Sequence, residues 1–180
     1  MTAICAPGGA PIIGIVGWKN SGKTTLVVRL VEEFTRRGLR VATIKHAHHG
    51  FEIDTAETDS ARHRRAGAGQ VAIVSSKRWA LIAELKDAPE PALDDIIAHL
   101  APCDLIIVEG YKWAPIPKIE SRRSGAAHEK PLAPDDAHVI AIATDGATRP
   151  DAAPPMFALD DISGMANFIT TRLRIAGAAV

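Results

Sequence analysis

The chain has 180 residues, 47% hydrophobic and 23% charged, with a formal net charge of zero. That suits one globular domain with a buried core, and it leaves no overall field to draw nucleic acid or an anionic membrane. Two cysteines, Cys5 and Cys103, exclude a disulfide framework and fit a reducing compartment. Residues 1–11 lack the features of a secretory signal, and no apolar run approaches the ~20 residues of a membrane-spanning helix, so a cytoplasmic protein is expected.

Residues 1–10 are expected to be flexible, within a single domain over 1–180. The run Ile12, Ile13, Gly14, Ile15, Val16 predicts a buried strand, and Leu26, Val27, Leu30, Val31 and Phe34 predict a helix that Gly38 stops. A second strand is expected over 40–45, then a polar stretch over 46–54, then a short helix over 59–66 rich in arginine. Residues 71–74 and 79–83 read as a hairpin. Leu93, Ile96, Ile97 and Leu100 mark a helix behind Pro89 and Pro91, and 105–110 is the clearest buried strand. Residues 115–123 read as extended and basic, 124–136 as loop, and 139–143 as another buried strand. Asp160 or Asp161 caps a last helix with Ile162, Met165, Ala166, Ile169 and Leu173 on its apolar face. Apolar strands alternating with helices predict an α/β fold: three α/β/α layers around a largely parallel sheet, with a β-hairpin extension.

Between the first strand and first helix lies Gly17-Trp18-Lys19-Asn20-Ser21-Gly22-Lys23-Thr24, which matches G-x-x-x-x-G-K-[ST] at every fixed position. In such a loop backbone N–H groups close around a polyphosphate, and the helix N-terminus adds partial positive charge. The predicted phosphate-binding set is Gly17, Lys19, Asn20, Ser21, Gly22, Lys23, Thr24 and Thr25. Lys23 would reach the β- and γ-phosphates, and the Thr24 hydroxyl would be a Mg²⁺ ligand. An acid closing a neighbouring strand completes the Mg²⁺ shell, and Glu109 fits because four apolar residues run into it. Asp54, in the polar stretch, is a second candidate for holding a metal-bound water or assisting catalysis.

Base recognition falls to Thr144 and Asp145, since a carboxylate after a late strand is a good acceptor for guanine N1 and N2. The full N-K-x-D signature is absent, and an Asp-Gly turn is the other reading. His46, His48 and His49 sit within four residues, without the thiolate spacing of a closed metal site. Lys45 and His46, at a strand's C-terminal end, lie on the ligand-binding edge of such a sheet. Lys45, His46, His48, His49, Arg62 and Arg65 are therefore candidates for contact with a phosphorylated ligand or partner. Gln70, the chain's one glutamine, precedes a strand, so no residue is poised to orient a water and hydrolysis should be slow.

Taken together these stretches resemble the molybdopterin-guanine dinucleotide biosynthesis adapter family, MobB. The resemblance is carried by G-W-K-N-S-G-K-T-T-L, by Lys45-His46-Ala47-His48-His49 with Phe51 and Asp54, by Val108-Glu109-Gly110-Tyr111-Lys112, by Pro117-Lys118-Ile119-Glu120, and by Ala143-Thr144-Asp145. Glu57-Thr58 departs from the Gly-Lys usual before Asp59-Ser60. The resemblance implies a P-loop NTPase fold and a Mg·GTP-binding adapter that assists the guanylyltransferase MobA, which joins GMP to molybdopterin. It also implies weak GTPase activity at most, a homodimer, and an adapter for which molybdopterin itself is a candidate ligand; an exposed hairpin over 71–85 is the candidate for extending a sheet across subunits. Two other readings remain: a metallochaperone GTPase of the hydrogenase or urease maturation kind, which the few cysteines disfavour, and a small-molecule kinase using Arg62 to Arg65 or Arg122 and Arg123.

Overall fold

The computed structural model describes residues 9–47, 51, 53, 57–126, 130–149 and 151–176. It divides into two compact units, one formed by Met1–His46 with Leu93–Val180 and the other by Ala47–Ala92.

In the larger unit, β1 (Ile12–Val16) leads into α1 (Lys23–Arg36), and β2 (Val41–Lys45) follows. The smaller unit then contributes α2 (Asp59–Arg65), β3 (Gln70–Val74) and β4 (Trp79–Ala83). The chain returns through α3 (Leu93–Ala98), β5 (Leu105–Glu109), β6 (Lys118–Arg122), β7 (Val139–Thr144), β8 (Met156–Ala158) and α4 (Ile162–Leu173). Six strands in the order β2-β5-β1-β6-β7-β8 form one sheet, and every neighbouring pair in it is parallel.

Alternation along the strands sets the layers. Ile13 and Ile15 of β1, with Leu105 and Ile107 of β5, face α1 and α4 in one core with Leu30, Phe34, Met165 and Ile169. Ile12, Ile106 and Val108 point the other way, onto Leu93 and Ile97 of α3. Both faces are covered, which is why β1 and β5 are continuously apolar. Asp161 caps α4 by accepting from the Gly164 N–H at 3.0 Å.

The segment 115–123 is extended as expected, and its residues Lys118–Arg122 form β6, a central strand between β1 and β7. Its two buried charged residues, Lys118 and Glu120, are each neutralised. Lys118, 1% exposed, donates to Asp136 at 2.6 Å and to the Lys112 carbonyl at 2.6 Å. The Glu120 carboxylate accepts from the Leu132 and Ala133 N–H groups and from Arg122. The short edge strand β8 is also new relative to the sequence reading.

The smaller unit holds the hairpin β3–β4, antiparallel from Gln70↔Ala83 to Val74↔Trp79. Thr58 is the N-cap of α2, its hydroxyl accepting from the Ala61 N–H at 3.3 Å. Among the described residues no helix is long and apolar enough to cross a membrane.

Candidate functional site

β1 delivers the chain to Gly17 at the C-terminal edge of the sheet. Gly17 has φ +145°, and a Cβ there would lie 2.4 Å from the Ser121 carbonyl oxygen and 2.6 Å from Ser21 Oγ. Glycine alone lets the loop pass this close to the end of β6. The loop is then held by the Ser121 hydroxyl, which donates to the Ser21 carbonyl at 2.6 Å. Asn20 takes φ 65° and Gly22 φ 90° before α1 begins. Gly22 is the N-cap; it provides no side-chain cap, and no acid stands in the first turn. The first N–H groups of α1 therefore have neither a side-chain cap nor an acid of the helix's own first turn to satisfy them.

Lys23 donates to the Trp18 carbonyl at 2.7 Å. Burial pushes its pKa down; Glu109 opposes this, while Lys112 and Lys45 reinforce it. The Lys112 ammonium lies 3.4 Å from the centre of the Trp18 ring, and Trp18 Nε1 donates to the Lys130 carbonyl at 3.0 Å. Lys45 and Lys112 thus stand near enough to Lys23 to disfavour its charge, an effect that an anionic ligand would offset.

The acid of the site is Glu109, only 8% exposed. Its Oε1 accepts from the Thr24 hydroxyl at 2.7 Å and lies 3.2 Å from the Lys45 ammonium. β2 and β5 are in register at Lys45↔Glu109, so the pairing of parallel strands places this lysine. The Glu109 carbonyl accepts from the His46 N–H at 2.9 Å. Next, Gly110 has φ +92°, and a Cβ there would come within 2.9 Å of His46 Cβ. Glycine so permits the His46 ring to sit 4.7 Å from that of Tyr111.

A cavity of about 430 Å³ is lined by the loop and first helical turn together with Glu109 and Arg123. Uncapped N–H groups, the Lys23 ammonium and this open space fit a polyphosphate. The hard oxygens of Thr24 and Glu109 fit Mg²⁺. Of the residues expected from sequence, Asn20, Gly22, Lys23, Thr24, Thr25 and Glu109 meet at this cavity, with Lys45 hydrogen-bonded to its rim at Thr24. Lys19 is exposed, whereas Gly17 and Ser21 are buried and shape the loop from beneath.

Thr144 ends β7, Asp145 follows it, and both are engaged within the protein. The Thr144 hydroxyl accepts from the Gly146 N–H at 3.0 Å. Asp145 accepts from the Ser124 N–H at 2.8 Å and from its hydroxyl at 2.6 Å, hydrogen bonds that hold its carboxyl below the usual range. Arg62 and Arg65 belong to α2 of the smaller unit, Arg62 lying 3.5 Å from Asp59. His48, His49 and Asp54 lie outside the described residues. Among the described residues no cluster of three histidine, cysteine or acidic side chains is placed to hold a metal ion.

Sequence reasoning named Arg123 only for a kinase and did not foresee Ser121 or Ser124. All three follow from β6 being central. The available signal was position, an Ile-containing segment between two buried strands in an alternating fold.

Residues 12–145 match the family described as MobB, Molybdopterin guanine dinucleotide synthesis protein B. The chain is 37% identical over 161 residues to a molybdopterin-guanine dinucleotide biosynthesis adapter protein of Escherichia coli strain K12, covering 88% of this chain and 91% of that one. A protein of the same description from Haemophilus influenzae is 41% identical over 138 residues, 75% of each chain. The crystal structure of Bacillus subtilis MobB superposes with a TM-score of 0.68 at 29% identity, covering 91% of this chain and 98% of that one. The phosphate loop, the Thr24–Glu109 pair and five of the six strands of the parallel sheet lie within the matched span, and the chain belongs to the MobB family.

Proposed function

We propose that this chain is a Mg·GTP-binding adapter in molybdopterin guanine dinucleotide biosynthesis, assisting the guanylyltransferase that attaches GMP to molybdopterin. The observation that carries this reading is the phosphate loop: an uncapped helix N-terminus and a lysine, with Thr24 and Glu109 hydrogen-bonded beside them. Family membership supplies the pathway. The N–H groups of the loop and of α1, with Lys23, would hold the phosphates, and Thr24 and Glu109 would hold Mg²⁺. Bound Mg²⁺ supplies charge neutralisation at the phosphates. Thr144 and Asp145 would recognise guanine, and Lys45 and His46 would face ligand or partner.

Turnover is weak at most in this reading, because the described site contains no glutamine to orient a water; Gln70 opens β3. The hairpin exposes Val74 at 76% and Trp79 at 69%, a surface suited to a second copy of the chain, so the working form is a homodimer; a sedimentation mass of one chain at micromolar concentration would remove that element. The adapter role is tested by timing molybdopterin guanine dinucleotide formation by the guanylyltransferase alone, with this chain, and with its Lys23→Ala variant. Stimulation by the wild-type chain that the variant does not give is expected; equal rates in all three would overturn the role.

A further inference from the structure

A second cavity, of about 210 Å³, opens between the phosphate loop and the end of β6. Trp18 and Ser21 line it from the loop, and Glu120, Arg122, Arg123 and Ser124 from the strand and the turn after it. Only Arg123 is common to this cavity and the one at Lys23.

Its hydrogen-bonding balance is one-sided. The one carboxylate in its lining is already satisfied: Glu120 takes the Leu132 N–H at 2.9 Å, the Ala133 N–H at 3.1 Å and an Arg122 terminal nitrogen at 2.7 Å. Ser124 donates both its groups to Asp145. Donors are left over. Ser21 is 2% exposed and its hydroxyl has no hydrogen-bond partner among the described residues. Arg122 Nε is likewise buried and unpartnered. Buried donors of this kind imply an acceptor that completes them. The space is several times the ~30 Å³ share of one water molecule, and Arg123 adds a second guanidinium. Adjacent guanidinium groups with a hydroxyl suit a phosphate group better than a neutral carbonyl.

We propose that this cavity is a second oxyanion subsite, which takes the phosphate monoester group of a small molecule beside the nucleotide phosphates and separate from them. Ser21 would serve both neighbours, with its backbone in the phosphate loop and its hydroxyl in the second cavity. The arrangement would seat a phosphorylated ligand against a loaded phosphate loop, with Arg123 as the shared wall.

The test is calorimetric titration of phenyl phosphate into the full chain saturated with Mg²⁺ and guanosine imidotriphosphate, with phenol as the control. Saturable one-to-one binding of phenyl phosphate, absent for phenol, is expected. Arg122→Lys keeps a positive charge for Glu120 but loses the Nε–H, so it should weaken phenyl phosphate at least tenfold without changing nucleotide affinity. If that variant unfolds at lower temperature than wild type, Ser21→Ala carries the phenyl phosphate comparison alone, made at saturating nucleotide. No saturable binding, equal binding of phenol, or undiminished affinity in a folded variant would overturn the subsite. The nucleotide reading fails separately, by a wild-type chain that binds no Mg·GTP. The second subsite is then judged by the same titration of Lys23→Ala, where saturable phenyl phosphate binding supports it and none overturns it.

Discussion

Thr24, in the first turn of α1, donates its hydroxyl to Glu109 at the end of β5, 85 residues later, across 2.7 Å. The contact joins the phosphate loop to the neighbouring strand, and it holds two hard oxygen donors side by side where a Mg²⁺ ion can use them. Glu109→Gln keeps the size of the side chain and removes its charge. It should raise the Mg²⁺ concentration needed for half-maximal GTP binding about tenfold, a change of about 1.4 kcal/mol. A Mg²⁺ titration of nucleotide binding at fixed GTP checks this, and an unchanged midpoint would remove Glu109 from the metal shell.

Gly17 passes close to β6, and its added Cβ would collide with the Ser121 backbone, which cannot rotate away, as well as with Ser21 Oγ. Gly17→Ala should cost about 2–3 kcal/mol, combining backbone strain with overpacking. Gly38→Ala also meets a positive φ but has open space around it, so it should cost only about 1 kcal/mol. Chemical denaturation of the two variants gives the comparison; equal losses would mean that backbone strain, not contact with β6, sets the requirement at Gly17.

Acid sensitivity should trace in part to Asp136. Burial works to raise its pKa, but hydrogen bonds from Lys118 and from the His138 N–H outweigh this and hold it below 3.8. A carboxyl depressed in the folded state contributes stability above its unfolded value, and loses it as pH falls through the folded value. Asp136→Asn, which leaves the buried Lys118 ammonium without its counter-charge, should cost about 3 kcal/mol near neutrality. It should also flatten the stability curve at pH below 3.8. Urea midpoints across that range decide it; a variant curve parallel to wild type would assign the acid limb to other groups.

Asp145 is held by Ser124 at the exit of β6, the position from which it would also accept from guanine. Asp145→Asn replaces one acceptor oxygen by a donor, and should lower affinity for GTP about tenfold while leaving ATP affinity unchanged. Competition binding with the two nucleotides checks this. Equal losses would make Asp145 a brace for the turn rather than a base-reading residue.

The sequence states the phosphate loop outright, because every fixed position of its motif is present and an apolar strand and amphipathic helix flank it. The layers were legible for the same reason: β1, β5 and β7 are apolar enough to declare themselves buried. β6 was not, since Lys118 and Glu120 are residue types normally found in water. Their burial depends on Asp136, Leu132 and Ala133, whose approach is a tertiary event that no local pattern announces. Trp18 shows the same limit. Its motif position accepts any residue, yet here its carbonyl, ring and Nε1 tie together Lys23, Lys112 and Lys130. Asp145 was placed correctly at a strand end, while its engagement with Ser124 depended on where β6 ends.

The most direct test of the account is an equilibrium titration of Mg·GTP into the wild-type chain and into Lys23→Ala, with thermal unfolding of both. Lys23 is the cation that the loop presents from the first turn of its own helix, and it now donates to the Trp18 carbonyl. The account predicts saturable, Mg²⁺-dependent binding of one GTP per chain by wild type. It predicts a loss of at least a hundredfold in the variant, about 2.7 kcal/mol, with an unfolding midpoint close to that of wild type. A folded Lys23→Ala protein that binds GTP as tightly as wild type would contradict it.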